Sequence, residues 1–385
     1  MPSYRHWTDY RYKVESGRSS TLKHHEIGTS GGTFLEFHTP FTFFCCQIGA
    51  EGTLKSLLSE SADQFRLSFS NPGFITMKGP MAVSPWARLG LDLPWIRTMG
   101  RAFSALQGEN AEALVQELFA KYRDLDWTHL HLWEKDSAIP GDRGFEPGTT
   151  PLVEELETMM RAHLEANHDE RSSRIGVMAE EGARVLDVVL LTPNRWWIGA
   201  HTVENFEHQW PGGVPQLPRT KEVVSRAYHK LNEAIAWSGI PMKTGEHVVE
   251  IGSSPGGACQ LLLEKGLHVT GIDPAEMDPS ILSHPRFTHW RGKSAQIKRR
   301  RFAAFDWLVC DANVAPNYTL DVVGDIVQYP TTRIRGMLLT LKISDWSQIA
   351  NLPQQLARIE SWGFETYVRQ LAHNRSEVCV YAVRS

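Results

Sequence analysis

The sequence predicts a two-part chain, with an α+β region first and an α/β domain built on a parallel sheet towards the C-terminus. Three observations carry this. From Val224 the order is helix (SRAYHKLNEAIAW), strand (HVVEIG), Gly-rich turn (SSPGG), helix (ACQLLLEKG) and strand (HVTGID), a βαβ unit. Before residue 205, short strand-like and helical periods alternate, which suggests one or two small sheets. Between them, QWPGGVPQLP (209–218) is dense in Gly and Pro and reads as a linker.

In chain order, residues 15–32 (ESGRSSTLKHHEIGTSGG) are rich in Ser, Gly and charge, so residues 1–33 are expected to form a tail or irregular extension. From Phe34, FLEFHTPFTFFCCQIGAEGTLKSLLSE gives strand-like runs and a short helix, and FRLSFSNPGFITMKGP a strand pair. NAEALVQELFAK (110–121) has helical spacing, whereas THLHLWEK alternates His129, His131 and Trp133 with Leu130 and Leu132, as a strand does. The two histidines share a strand face, yet no third metal ligand is identifiable, and a structural role with no metal is expected. PGDRGFEPGTTP (140–151) is a loop, LVEELETMMRAHLEANH a helix, and ARVLDVVLLTPNRWWIGAHTV a hairpin turned at Pro193 and Asn194.

Composition narrows the function. The 385 residues carry 40 Lys and Arg against 44 Asp and Glu, which disfavours a protein that coats nucleic acid nonspecifically. Charge is uneven, however. Residues 221–385 hold 19 basic against 16 acidic residues, leaving 21 against 28 for residues 1–220, so a polyanion site is better placed C-terminally. No apolar run approaches the roughly 20 residues that cross a bilayer, and MPSYRHWTDYRYKV lacks the apolar core of a secretory signal. A soluble, cytoplasmic protein with no membrane partner is expected. The five cysteines, Cys45, Cys46, Cys259, Cys310 and Cys379, show no CxxC spacing and read as buried thiols.

The chemistry concentrates after residue 220. Glycines follow the first strand at 252, 256 and 257, where backbone must approach a ligand closely, and Asp273 ends the second strand, placed to accept hydrogen bonds from both hydroxyls of a ribose. GSSPGG does not match GxGxxG, which disfavours nicotinamide and flavin cofactors. S-adenosylmethionine, with a ribose and no pyrophosphate, fits better. The expected cofactor contacts are Gly252, Ser254, Pro255, Gly256, Gly257, Ala258, Asp273 and Asp311. Further strands follow: FDWLVCD ends at Asp311, GMLLTLKI carries Lys342 near its end, and SEVCVYAV begins beside Glu377. Asp311 and Lys342 should face the crevice at the carboxyl ends of the strands.

Taken together, SRAYHKL, EIGSSPGGACQLL, GID, CDANVAPN, LLTLKI and HNRSEVCVYAV resemble the FtsJ-type RNA ribose 2′-O-methyltransferases. The resemblance implies a Rossmann-like class I methyltransferase sheet over 220–385 and a Lys-Asp-Lys-Glu tetrad of Lys230, Asp311, Lys342 and Glu377. Within that family, WPGGVPQLP followed by SRAYHKLNEA is similar to the domain junction of the bacterial large-subunit rRNA cytidine 2′-O-methyltransferases. This implies a ferredoxin-like plus THUMP-like RNA-binding region over 34–205, a linker over 206–219, and 23S rRNA as the partner. Two positions depart from the family pattern: Ala258 replaces a Trp, and Gly292 and Lys293 stand where an acidic residue near the adenine is expected.

The reaction implied is methyl transfer from S-adenosylmethionine to a ribose 2′-hydroxyl, which requires positioning of the hydroxyl oxygen and removal of one proton. The resemblance makes Lys342 the base or hydroxyl-orienting group, Asp311 and Lys230 positioning groups, and Glu377 the anchor of a lysine. An alternative target is another RNA such as tRNA, and a second alternative is a noncatalytic RNA-binding or assembly protein that keeps the fold. The run Lys298–Arg301 precedes the strand ending at Asp311, so topology sends it away from the crevice and a solvated face is expected.

Overall fold

The computed structural model describes residues 39–61, 65–79, 94–218, 220, 222–343 and 345–384. The expected tail over 1–33 lies outside the described residues. The chain divides into two compact units, one running to Ser137 and resuming over Gly148–Val214, the other made of Ala138–Pro147 and Pro215 onward.

The first unit is built on one seven-stranded sheet. Its elements are β1 (Phe41–Cys45), α1 (Glu51–Ser61), β2 (Arg66–Asn71), β3 (Phe74–Lys78), β4 (Thr98–Gln107), α2 (Ala111–Tyr122), β5 (His129–Glu134), α3 (Pro151–Ala166), β6 (Arg184–Thr192) and β7 (Arg195–Thr202). The spatial order is β2-β3-β1-β4-β7-β6-β5, and only the β5–β6 pairing is parallel. Local chemistry sets the helix starts. Asn110 caps α2 by accepting from the Ala113 N–H at 2.9 Å, and α3 begins with Pro151 behind a Thr150 cap. Leu114, Leu118 and Phe119 of α2 join Leu130, Leu186 and Ile198 of the sheet in one core, each contributing about 1.5–3 kcal/mol by burial.

Two expected boundaries shift. Residues 138–147, expected within the N-terminal region, group with the second unit because their polar groups find partners there. Arg375 Nε donates to the Pro140 carbonyl at 2.7 Å, and Arg226 pairs with Glu146. Of the expected linker over 206–219, Glu207–Gln209 and Pro211–Gly213 form 3-10 turns of the first unit, with Pro211, Gly212 and Gly213 buried. Gly212 and Gly213 have φ of +61° and +69°, and a Cβ on Gly213 would lie 2.3 Å from the Arg97 carbonyl oxygen, so this packing is open only to glycine.

The second unit contains α4 (Ala227–Ser238), β8 (His247–Ile251), α5 (Gly257–Glu264), β9 (His268–Asp273), α6 (Pro279–Leu282), β10 (Phe287–Arg291), β11 (Trp307–Cys310), α7 (Pro316–Val327), β12 (Gly336–Lys342), α8 (Leu352–Glu360), β13 (Phe364–Arg369) and β14 (Glu377–Arg384). Its sheet order is β10-β9-β8-β11-β12-β14-β13. The first five of these strands are parallel, and the order reverses direction between β8 and β11, which opens a crevice at their carboxyl ends. β14 runs antiparallel to β12, so its first residue reaches the same sheet edge as the last residue of β12. Both units therefore carry mixed sheets. All five cysteines are free and buried, and among the described residues no helix is long and apolar enough to cross a membrane.

Candidate active site

Four charged side chains meet at that sheet edge. Lys342 ends β12 and lies directly opposite Glu377 in the antiparallel register. Asp311 follows β11, its N–H bonded to the Ile251 carbonyl at 3.1 Å, and Lys230 comes from the first turn of α4. Lys230 Nζ donates to Asp311 Oδ2 and lies 2.8 Å from Glu377 Oε1, while Lys342 Nζ reaches Asp311 Oδ1 at 3.0 Å and Glu377 Oε2 at 2.5 Å. Each ammonium thus touches both carboxylates, and the four form a closed ring of alternating charge.

Burial alone would raise the Asp311 pKa, but the two lysine ammoniums outweigh it and hold the carboxyl below its ordinary value; Glu377 is lowered by the same balance. Burial would lower Lys342, yet Asp311 and Glu377 raise it above the usual lysine value. At neutral pH the resting Lys342 is therefore an ammonium.

Two side chains supporting the ring, Asn374 and Glu233, and a third buried nearby, Glu250, were not legible as site residues. Asn374 Nδ2 donates to Glu377 Oε1 at 3.3 Å, and its Oδ1 accepts from the Leu371 N–H. Glu233, one helical turn beyond Lys230, accepts from the N–H groups of Ala372 and His373 and from His373 Nδ1 at 2.7 Å, which fixes the loop leading to Glu377. Its spacing of three from Lys230 on one helix was the available signal. Glu250 on β8 is fully buried; that burial, chiefly, pushes its carboxyl up to about 8, and it accepts from the Cys259 thiol at 2.8 Å.

The Gly-rich turn borders the ring. Gly252 has φ +81°, and a Cβ there would meet Ala312 Cα at 2.8 Å and the Asp311 carbonyl oxygen at 3.0 Å. Gly257 opens α5 where a Cβ would lie 2.6 Å from the Ser225 carbonyl oxygen, so this glycine lets the start of α4 approach. Ser254, Pro255 and Gly256 complete the turn. Asp273 at the end of β9 accepts from the Ser254 and Ala275 N–H groups, at 3.2 and 2.8 Å, which leaves each carboxylate oxygen with further acceptor capacity. The Gly292 N–H donates to the Asp273 carbonyl, placing the loop after β10 beside that carboxylate, with Lys293 exposed. Ala258 is buried on α5 and lines a recess with Lys230, Asp311 and Asn374.

The basic run lies elsewhere. Lys298–Arg301 leads into the amino end of β11, opposite the edge carrying Asp311. Arg299 donates to the Ser294 and Ile297 carbonyls, Arg301 stacks over Trp290 at 3.8 Å, and Lys298 and Arg300 are exposed.

Part of the chain is similar to known proteins. Residues 223–347 match the FtsJ-like methyltransferase family, a span that includes Lys230, the turn, Asp311 and Lys342. The chain is 31% identical over 179 residues to the ribosomal RNA large subunit methyltransferase M of Halorhodospira halophila, an alignment covering 46% of this chain and 51% of that protein. It is 26% identical over 327 residues to the protein of the same name from Laribacter hongkongensis, covering 81% and 86%. The chain thus spans about half the length of the first of these relatives. A ribosomal RNA methyltransferase structure from Plasmodium falciparum aligns with 42% of this chain and 97% of its own at 19% identity and a TM-score of 0.31, which adds nothing to the fold seen directly. The second unit of this chain carries a domain of the FtsJ-like methyltransferase family.

Proposed function

We propose that this chain transfers a methyl group from S-adenosylmethionine to a ribose 2′-hydroxyl of RNA, with a cytidine of large-subunit rRNA as its target. The observation that carries this reading is the closed ring of Lys230, Asp311, Lys342 and Glu377 beside the Gly252–Gly257 turn. Support for the RNA class comes from the relatives named above, and the cytoplasm is the compartment that suits it.

The residues present fit the cofactor. Asp273 keeps acceptor capacity for a ribose diol, and the positive φ of Gly252 and Gly256 holds the backbone of the turn open to a ligand. Gly252, Ser254, Pro255, Gly256 and Gly257 would hold its amino-acid end, with Asp311 at the crevice. When bound, the cofactor supplies an electrophilic methyl group. Lys342 Nζ, held between two carboxylates, donates a hydrogen bond to the target hydroxyl oxygen as an ammonium; to act as the base it would first release one proton to solvent and then, as the neutral amine, take the hydroxyl proton as the methyl group is transferred. Lys230 and Glu377 keep Nζ and the Asp311 carboxylate in place, and most of the rate comes from that positioning.

The proposed domain plan is a ferredoxin-like plus THUMP-like RNA-binding region before the junction and the methyltransferase domain after it. The test is methylation of ribosomal RNA from cells lacking the gene, with purified chain and labelled S-adenosylmethionine, read by mass spectrometry. Label on a single cytidine ribose of large-subunit rRNA is expected. Label on a base, or no label together with no cofactor binding by calorimetry, overturns the reading.

A further inference from the structure

Inside the first unit, His131, Asp187 and His201 converge on one face of the sheet. β5 and β6 place His131 directly beside Asp187, and β7 places Gly199 opposite Asp187, so His201, two residues on, falls diagonally on the same face. All three are buried, and one donor atom from each lies within 4.8 Å of the others. Asp187 on β6 and His201 on β7 were not connected to His131 by any spacing along the chain.

The hydrogen bonds around the cluster fix how the two rings present themselves. His131 Nε2 bonds the Val177 carbonyl at 3.1 Å, and His201 Nε2 bonds the His208 carbonyl at 2.9 Å. A carbonyl only accepts, so each Nε2 carries a hydrogen, and in a neutral imidazole the lone pair then sits on Nδ1. His201 Nδ1 lies 2.7 Å from Asp187 Oδ2, whereas His131 Nδ1 and Asp187 Oδ1, although fully buried, have no hydrogen-bond partner among the described residues. A proton shared between His201 and Asp187 satisfies that pair and leaves the other two atoms bare. A divalent cation satisfies all three residues at once, and backbone carbonyls holding the far nitrogens of metal-bound imidazoles are the usual support for such a site.

We propose that His131, Asp187 and His201 bind one zinc ion that ties β5, β6 and β7 to the segments carrying Val177 and His208. Two imidazole nitrogens and a carboxylate oxygen suit zinc, with a fourth position left for water. His129, the other histidine on that strand face, stands outside the site and pairs with Glu180 at 3.3 Å.

The full chain, exposed to zinc chloride and desalted, should retain one zinc per molecule by elemental mass spectrometry, and cobalt in its place should give visible ligand-field bands. Asp187→Asn and His131→Gln should each weaken zinc binding about tenfold or more at unchanged circular dichroism. A desalted chain without zinc, or variants that keep zinc at wild-type affinity, would overturn the proposal. Should a variant unfold, the wild-type chain decides alone: zinc must raise its melting temperature, a chelator must reverse the rise, and no shift counts against the site.

Discussion

Replacing Lys342 by Met tests the ring most directly. The substitution keeps the unbranched stem, one heavy atom shorter, and removes one of two ammoniums, so Asp311 Oδ1 and Glu377 Oε2 lose donors at 3.0 and 2.5 Å. Stripping one partner from a buried ion pair costs about 3–5 kcal/mol. Here the side chains of Lys342, Asp311 and Glu377 keep 19%, 17% and 6% of their exposure, so solvent takes part of the charge and about 2–3 kcal/mol is expected at pH 7. The sign with pH follows from the remaining carboxylates. In the native ring their pKa values are depressed, so their stabilisation is present above the ordinary carboxylate range and lost as pH falls through the lowered values. In the variant one carboxylate lacks a counter-charge, its pKa rises with burial, and protonation on acidification relieves the cost. The stability gap measured by urea denaturation should therefore be largest near pH 7 and narrow by pH 5. Methyl transfer should fall by about 10²–10⁴-fold with cofactor binding retained. A gap equal at both pH values, or full activity with normal cofactor affinity, would refute the reasoning.

Glu250→Gln should stabilise the chain increasingly as pH rises from 5 to 7, by about 2–3 kcal/mol on denaturation, because the folded carboxyl titrates at about 8 and stays protonated where the unfolded one ionises. Gly252→Ala combines φ +81° with backbone atoms of Ala312 at 2.8 and 2.9 Å from the new Cβ; calorimetry should show S-adenosylmethionine affinity reduced by about tenfold or more, equivalent to about 1.4 kcal/mol. Replacing exposed Lys298 and Arg300 together by Ala should leave transfer and the salt dependence of RNA binding within about twofold, whereas the loss of real phosphate contacts would flatten the salt slope.

What could be read from sequence was whatever a short segment fixes by itself. Asp311 and Lys342 each end an apolar strand buried on both faces, and parallel strands present their carboxyl ends to one crevice, so their meeting followed from topology. Glu377 sits at the start of its strand and joins them only because β14 runs antiparallel, with Lys342 and Glu377 paired in register. Long-range partners were invisible. Residues 138–147 look like any Gly- and Pro-rich loop, and what assigns them to the second unit is Arg226 and Arg375, which lie 80 and 235 positions from Glu146 and Pro140. His131 likewise gains Asp187 and His201 from strands whose register no local pattern encodes.

The ring's charge balance bears on how a lysine could take a proton at all. With its pKa raised above the ordinary lysine value by Asp311 and Glu377, Lys342 is an ammonium at pH 7, and its neutral amine is costly to reach. Neither carboxylate can relieve this, since both favour the ammonium. A second positive charge at contact distance can: at an effective dielectric of about 20, a unit charge about 4 Å away contributes about 4 kcal/mol. Lys230 is already committed to Asp311 and Glu377, so in the resting site its charge is compensated. Under the proposed mechanism, the cation that depresses Lys342 would have to arrive with the reactants, and a lysine inert in the empty site would become a base only when the site is filled. On this account Asp311 and Glu377 hold the unliganded ring together and keep Nζ in position, and the same two carboxylates prevent it from acting before the reactants are in place.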